Sequence, residues 1–188
     1  MKRHLFLLIL SSLMLPTFMQ AQDSPSDAPL SKTYTFKSSK KTKQKRALEY
    51  ISGQPSGAGI NEWGDIKYTL EADCKRGEFT VLVKDVVLAV SSPDGLPHAE
   101  AISDFPSFIE AKEARKTELD AEIRVLERIM APGSGEKITK EVTQKYEKAK
   151  VERETVSRQA QGAMIARAAL EFKMEELSKY IMGIDTQQ

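Results

Sequence analysis

Cysteine, histidine, tryptophan and net charge are all scarce in this sequence. Among 188 residues there are one Cys, one Trp and two His, and 28 basic side chains face 27 acidic ones. A single Cys cannot close an internal disulfide, which removes the disulfide-scaffold class. One Cys and one His, all that would remain once an N-terminal export signal carrying His4 is removed, cannot fill the three or four protein positions of a zinc site, so no metal is expected. A balance this close to neutral disfavours a nucleic-acid binder, which would carry a basic excess. The sequence also has no phosphate-cradling glycine loop. Gly53, Gly57 and Gly59 are loosely spaced with no Lys-Ser/Thr after them, so they read as turn residues and no cofactor is expected.

Long apolar runs are lacking too, except at the start. Lys2 and Arg3 precede the run Leu5 to Met14 (LFLLILSSLM), a core of signal-peptide length and too short to span a bilayer. The expected cleavage follows Ala21, although Met19 is bulky for the position three before the cut. Cleavage removes two basic residues and no acids, which leaves a slightly negative chain whose one His is His98. After cleavage no stretch is long and apolar enough to span a membrane, so the expected location is the periplasm or the exterior.

Residues 22–30 (QDSPSDAPL) read as a polar linker. Lys32 to Lys37 alternates and is rich in Thr and aromatics, a strand with Tyr34 and Phe36 on one side. From Ser39 to Ser52 the period becomes helical, with Lys43, Ala47, Leu48 and Ile51 in phase and Gly53 and Pro55 as the stop. Ile60 to Trp63 fits a short edge strand. Ile66, Tyr68, Leu70, Ala72 and Cys74 then occupy one face of a strand whose other face is polar, which favours burial of Cys74 over pairing between chains. After a turn at Lys75-Arg76-Gly77, Phe79, Val81 and Val83 alternate. The slip at Asp85 into the run Val86 to Val90 predicts a bulge or a strand end covered on both faces. Ser91 to Gly95 closes this unit.

The second half is helical. Ser107 and Glu110 fit a capping box for a helix running to Met130. Pro132 to Gly135 make a turn, with Ser134 as N-cap for a helix from Glu136 to Met182. In that helix, positions 142, 146, 149, 153, 156, 160, 163, 167, 170, 174, 177 and 181 alternate steps of four and three, and only Arg153 and Arg167 interrupt an apolar or small-residue seam. Asp120/Arg124, Glu136/Lys140, Glu141/Lys145, Glu154/Arg158 and Glu175/Lys179 are spaced as surface ion pairs. The second helix outreaches the first by about 20 residues. The hairpin is therefore expected to return so that Leu170, Phe172, Met174, Leu177 and Ile181 pack on a sheet too small to hold a core alone. Gly162 is the expected site of a kink or a close approach.

Few side chains suggest chemistry. Cys74 and His98, the latter in a Pro-flanked loop (LPHAE), are the one nucleophile and base that a hydrolase could use. The run Lys37 to Arg46 places six basic residues without an acid. Lys40, Lys41, Lys43, Lys45 and Arg46 could meet a phosphate-rich surface, or form the solvated face of a helix. Trp63 could stack on a ligand or anchor a loop. Met164, Met174 and Met182 suit an adaptable partner surface or helix–sheet packing.

The opening strand KTYTFK, the helix ending ALEYI and the hairpin DIKYTLEADCKRGEFTVLVKDVVL together resemble a family of exported bacterial domains of unknown function with a TATA-binding-protein-like fold. The resemblance covers residues 31–90. It implies secretion and a curved sheet bearing a helix, and it brings no catalytic residues. It departs from the family at residues 53–64, which are short and Gly-rich here.

The expectation is an α+β chain: a signal peptide at 1–21, a linker at 22–30, a small curved antiparallel β-α-β-β-β domain at 31–102, a helical hairpin at 103–183 and a tail at 184–188. The function expected is non-enzymatic binding or structural work in the bacterial envelope. The alternatives are a periplasmic chaperone-like binder of clients or envelope components that uses the hairpin, and a hydrolase using Cys74 and His98. Partners expected are a protein or envelope component and no nucleic acid, with a homodimer through residues 142–181 as a further reading.

Overall fold

The computed structural model describes residues 30–35, 40–62, 64–75, 78–133 and 138–186. Their elements run β1 (Leu30–Thr35), α1 (Lys40–Ser52), β2 (Gly57–Asn61), β3 (Gly64–Lys75), β4 (Glu78–Ser91), β5 (Pro97–Ala101), α2 (Phe105–Met130) and α3 (Lys140–Thr186). The chain is α+β. All five strands join one antiparallel sheet in the order β1-β4-β3-β2, with β5 also on β4. β4 is the axis. Along one edge it pairs with β3, and along the other it pairs first with β1, through Glu78 to Val83, and then with β5, through Val87 to Ser91.

The slip at Asp85 is a bulge. Lys67 pairs with Val87 and Thr69 with Lys84, which leaves Asp85 and Val86 opposite Tyr68, and Asp85 has φ 52°. The extra residue shifts the phase of β4, so Phe79, Val81 and Val83 before it and Val86, Leu88 and Val90 after it all face the core. The alternative, a strand end buried on both faces, does not occur: Val87 and Ala89 stay partly exposed.

Several boundaries differ from the sequence expectation: β2 spans Gly57–Asn61 rather than opening at Ile60, and α3 runs on to Thr186 rather than ending at Met182. β1 starts at Leu30, one residue inside the expected linker. The segment expected as a loop around His98 is strand β5. Its residues are nearly all exposed, so an edge strand held by its ladder to β4 leaves no alternating pattern to read. The cap of α2 is Asp104, whose carboxylate accepts from the Ser107 amide at 2.8 Å, rather than Ser107 itself. Pro106 in the first turn fits this earlier start, since its missing N–H would have no partner there. α3 begins after Thr139, whose Oγ1 accepts from the Val142 amide at 3.3 Å; Ser134 lies outside the described residues.

α3 has two successive partners. Its first half lies against α2, where Leu119, Ala149 and Val156 form a small core with Ile123 beside it. Its second half crosses the sheet, and Ala163, Ala166, Leu170, Met174, Leu177, Ile181 and Ile184 join Phe79, Val81, Val83, Leu88 and Phe105 in the main core. Gly162 stands between the two regions. A Cβ there would lie 3.4 Å from Leu88 and Val90, so the helix comes close to the sheet at this point. Phe172 departs from the expected packing: it points outward and is 62% exposed. α1 fills the remaining inner face with Ala47 and Ile51, and Tyr50 stacks on Tyr180 of α3 with ring centroids 3.6 Å apart.

The seam expected for a homodimer is consumed within the chain. From Ala149 to Ile181 its apolar positions are buried against α2 or the sheet. Its two arginines also find partners at home, Arg153 with Asp120 of α2 at 2.9 Å and Arg167 with Glu171 at 2.7 Å. Asp120 thus bridges the hairpin to Arg153 and is not left to Arg124. Glu154/Arg158 and Glu175/Lys179 form at 3.3 and 3.1 Å, as their spacing implies.

Candidate functional site

The residues singled out by sequence do not assemble into one site. In α1, Lys41, Lys45 and Arg46 are exposed, and Lys45 is 3.8 Å from Glu49. Lys43 is only 7% exposed. It shares the inward face with Ala47 and Ile51 at steps of four, so helix geometry removes it from any solvated basic face. The side chain of Lys40 and all of Trp63 lie outside the described residues.

Cys74 is exposed, against the expectation of burial. Its face is inward at Ile66 and Tyr68, but β2 pairs only with the start of β3, so among the described residues no strand lies along that edge by Cys74. Partial burial, followed by the neighbouring charge of Asp73, pushes the thiol up, which is opposite to the activation a nucleophile needs. His98 is far away. Cys74 pairs with Phe79 and His98 with Val90, positions about 11 residues apart on β4, or roughly 35 Å at 3.3 Å per residue. The sheet holds the two apart, so they cannot form a catalytic pair.

What the structure does assemble is a groove of about 550 Å³ between β1 and the end of α3. Its β1 wall is Leu30, Ser31 and Lys32. Its α3 wall is Met174, Ser178 and Met182, with Glu171, Glu175 and Lys179 along the rim. Leu30, Lys32 and Tyr34 face α3 because they lie opposite the core residues Val83, Val81 and Phe79. Tyr34 fixes the groove at one end: its hydroxyl lies 2.6 Å from Ser178 Oγ, and Ser178 donates to the Met174 carbonyl at 2.7 Å. Since Ser178 has one proton and gives it to a carbonyl, Tyr34 is the donor in this chain. Burial pushes the Tyr34 phenol up from its ordinary value.

Among the described residues no strand pairs with the outer edge of β1, so its outward amides and carbonyls flank this groove. The floor offers apolar thioethers from Met174, which is buried, and Met182, which is exposed. The rim carries both signs of charge. Such a cleft can hold an extended chain by backbone pairing while accepting varied side chains. Sequence reasoning had marked Met174 and Met182 but missed their neighbour, because adjacency of β1 and α3 depends on β1 pairing with β4 rather than with β2.

A second groove of about 460 Å³ lies on the hairpin, lined by Ile123, Tyr146, Val151, Asp120, Arg153 and Pro93 among others. The hairpin is clipped to the sheet where Glu100 of β5 meets Lys112 of α2 at 2.5 Å and Gln159 of α3 at 3.1 Å. Among the described residues no helix is long and apolar enough to cross a membrane, and no cluster of His, Cys, Asp or Glu could hold a metal ion. No known protein family, curated protein or solved structure matches the chain.

Proposed function

We propose that this chain is an exported, non-enzymatic binding protein of the bacterial envelope, and that it holds an extended polypeptide segment in the groove between β1 and α3. The observation that carries the reading is the edge of β1, which no described strand pairs, at the mouth of an apolar-floored cleft. Backbone groups spaced along a strand edge are matched by another strand, and the methionines adapt to different side chains. The apolar run at residues 5–14 and the resemblance to an exported TATA-binding-protein-like family support the location. A second reading uses the hairpin as the holding arm, and the groove beside Ile123 and Tyr146 favours it.

The test is binding of a labelled peptide of alternating apolar and polar residues to the mature chain, followed by fluorescence anisotropy. Met182→Asp should weaken binding at least roughly tenfold, because a charge would have to be desolvated on the groove floor. N-methylating alternate amides of the peptide should abolish it. Binding unaffected by both changes would overturn the groove reading, and loss on Ile123→Asp alone would move the site to the hairpin.

A further inference from the structure

The outer face of α3 carries a stripe that none of the described residues covers. Met164 and Phe172 are 48% and 62% exposed, with exposed Ala168 midway between them at steps of four. The inward positions Ala163, Ala166, Leu170, Met174 and Leu177 lie on the opposite side of the same turns, so the stripe points away from the sheet. Ile165 and Ala169 widen it on one flank. On the other flank stand Arg167 and Glu171, paired with each other at 2.7 Å, and Asp104 at the start of α2, whose carboxyl feels the charge of Arg167.

We infer that this face binds a second copy of the chain, with the two α3 helices crossing antiparallel at Ala168 and Ala169. The argument is self-complementarity. Turning a second α3 end for end about this point sets Met164 of one copy against Phe172 of the other, twice. With the two-fold between Ala168 and Ala169, Met164 and Phe172 (centred on 168) and Arg167 and Glu171 (centred on 169) each face one another to within one residue, about 1.5 Å along the axis, so opposite charges lie closer across the contact than like ones. An isologous two-fold contact demands this matching, whereas a foreign partner requires no symmetry in the stripe. The alanines at the crossing leave room for the helices to approach closely. The inference does not rest on the groove between β1 and α3, which lies further along α3 and shares only Glu171 with this face, and it differs from the coiled-coil seam that is already buried within the chain.

The stripe covers only about three helical turns, so the contact falls at the small end of protein interfaces and a dimer in the micromolar range is expected. Sedimentation equilibrium of the mature chain should show a reversible monomer–dimer equilibrium. Phe172→Glu should weaken it at least roughly tenfold, with an unchanged far-UV spectrum because the side chain is exposed. Arg167→Glu and Glu171→Arg should each weaken it, and the double reversal should restore it. In a Cys74→Ser background, Ala168→Cys should cross-link to itself under mild oxidation, while Lys148→Cys should not. A chain that stays monomeric at all concentrations overturns the proposal. So does a dimer indifferent to Phe172→Glu, or one that the charge reversal fails to rescue. Peptide binding by Phe172→Glu, a residue outside the groove lining, should be unchanged in either case, which keeps the two readings separable.

Discussion

The end of α3 is part of the β core, and removing one side chain from it should destabilise the whole chain. Leu170, Met174, Leu177, Ile181 and Ile184 are all buried in the sheet-side core. At about 1.5 to 3 kcal/mol each, their burial contributes roughly 8 to 15 kcal/mol. That equals the entire stability of an ordinary domain, about 5 to 15 kcal/mol, so a chain ending at residue 162 should not fold. The sharper perturbation is Leu177→Ala, because Leu177 is 0% exposed and its loss leaves a cavity between helix and sheet. The cost should be about 2 to 5 kcal/mol. With a urea slope of about 2 kcal/mol per molar, the midpoint should fall by about 1 to 2.5 M. Two probes report different parts: far-UV circular dichroism follows mainly the helices, and fluorescence follows Trp63, the one Trp, which lies between β2 and β3 in sequence. If the core is continuous, both transitions move together by the same amount. A fluorescence midpoint that stays at the wild-type value while the dichroism midpoint drops would show that the sheet stands without α3, and would refute the reasoning.

Three further outcomes follow from single sites. Burial holds the Tyr34 phenol above its ordinary value near 10. The folded state therefore favours the protonated form, so this stability is intact below pH of about 10 and lost as pH rises through the folded value. Tyr34→Phe should flatten that alkaline loss in thermal melts while costing about 1 kcal/mol at neutral pH for the bond to Ser178. Gly64→Ala would drive its Cβ into the Ala89 carbonyl oxygen and to 3.1 Å from Val90 Cγ1, and should cost about 1 to 3 kcal/mol in urea melts; Gly59→Ala, which meets open space, should stay within about 0.5 kcal/mol. Maleimide should label Cys74 completely in the native protein, at a rate that climbs with pH because the thiol is pushed up. Labelling only after unfolding would contradict the exposed edge.

The strands and helices were legible where one face is buried and the other wet. Phe79 to Val90 shows this best: the break at Asp85 in an otherwise strict alternation announced the bulge that lets both halves of β4 face one core. β5 was illegible for the converse reason, since an exposed edge strand of Pro, His, Ala and Glu has no buried face to mark. Cys74 and Phe172 failed differently. Periodicity assigns a side chain to a face of its own element, but whether anything covers that face depends on how far the neighbour extends. β2 stops short of Cys74, and nothing in the described fold lies over Phe172. The groove was out of reach for a topological reason, because its walls come from the first strand and the last helix, about 140 residues apart.

The regular seam of α3 invited a coiled-coil reading, and its geometry explains why one helix can serve two partners instead. A stripe repeating every 3.5 residues drifts by about 20° per heptad around a straight α-helix. In a coiled coil the helices supercoil to keep such a stripe facing one partner throughout. Between Val142 and Ile181 there are more than five heptads, over which an unsupercoiled stripe turns by roughly 100°. Here the partner changes as the stripe turns: α2 receives Ala149 and Val156, and the sheet receives Ala163 to Ile181. The handover falls at Ala160, Gly162, Ala163 and Ala166, small residues that let the helix approach the sheet closely, with Gly162 nearest Leu88 and Val90. Arg153 and Arg167 then no longer break a seam. Arg153 reaches Asp120 across the hairpin at 2.9 Å, and Arg167 sits where the drifting stripe has turned it toward solvent, beside the face offered to a second copy.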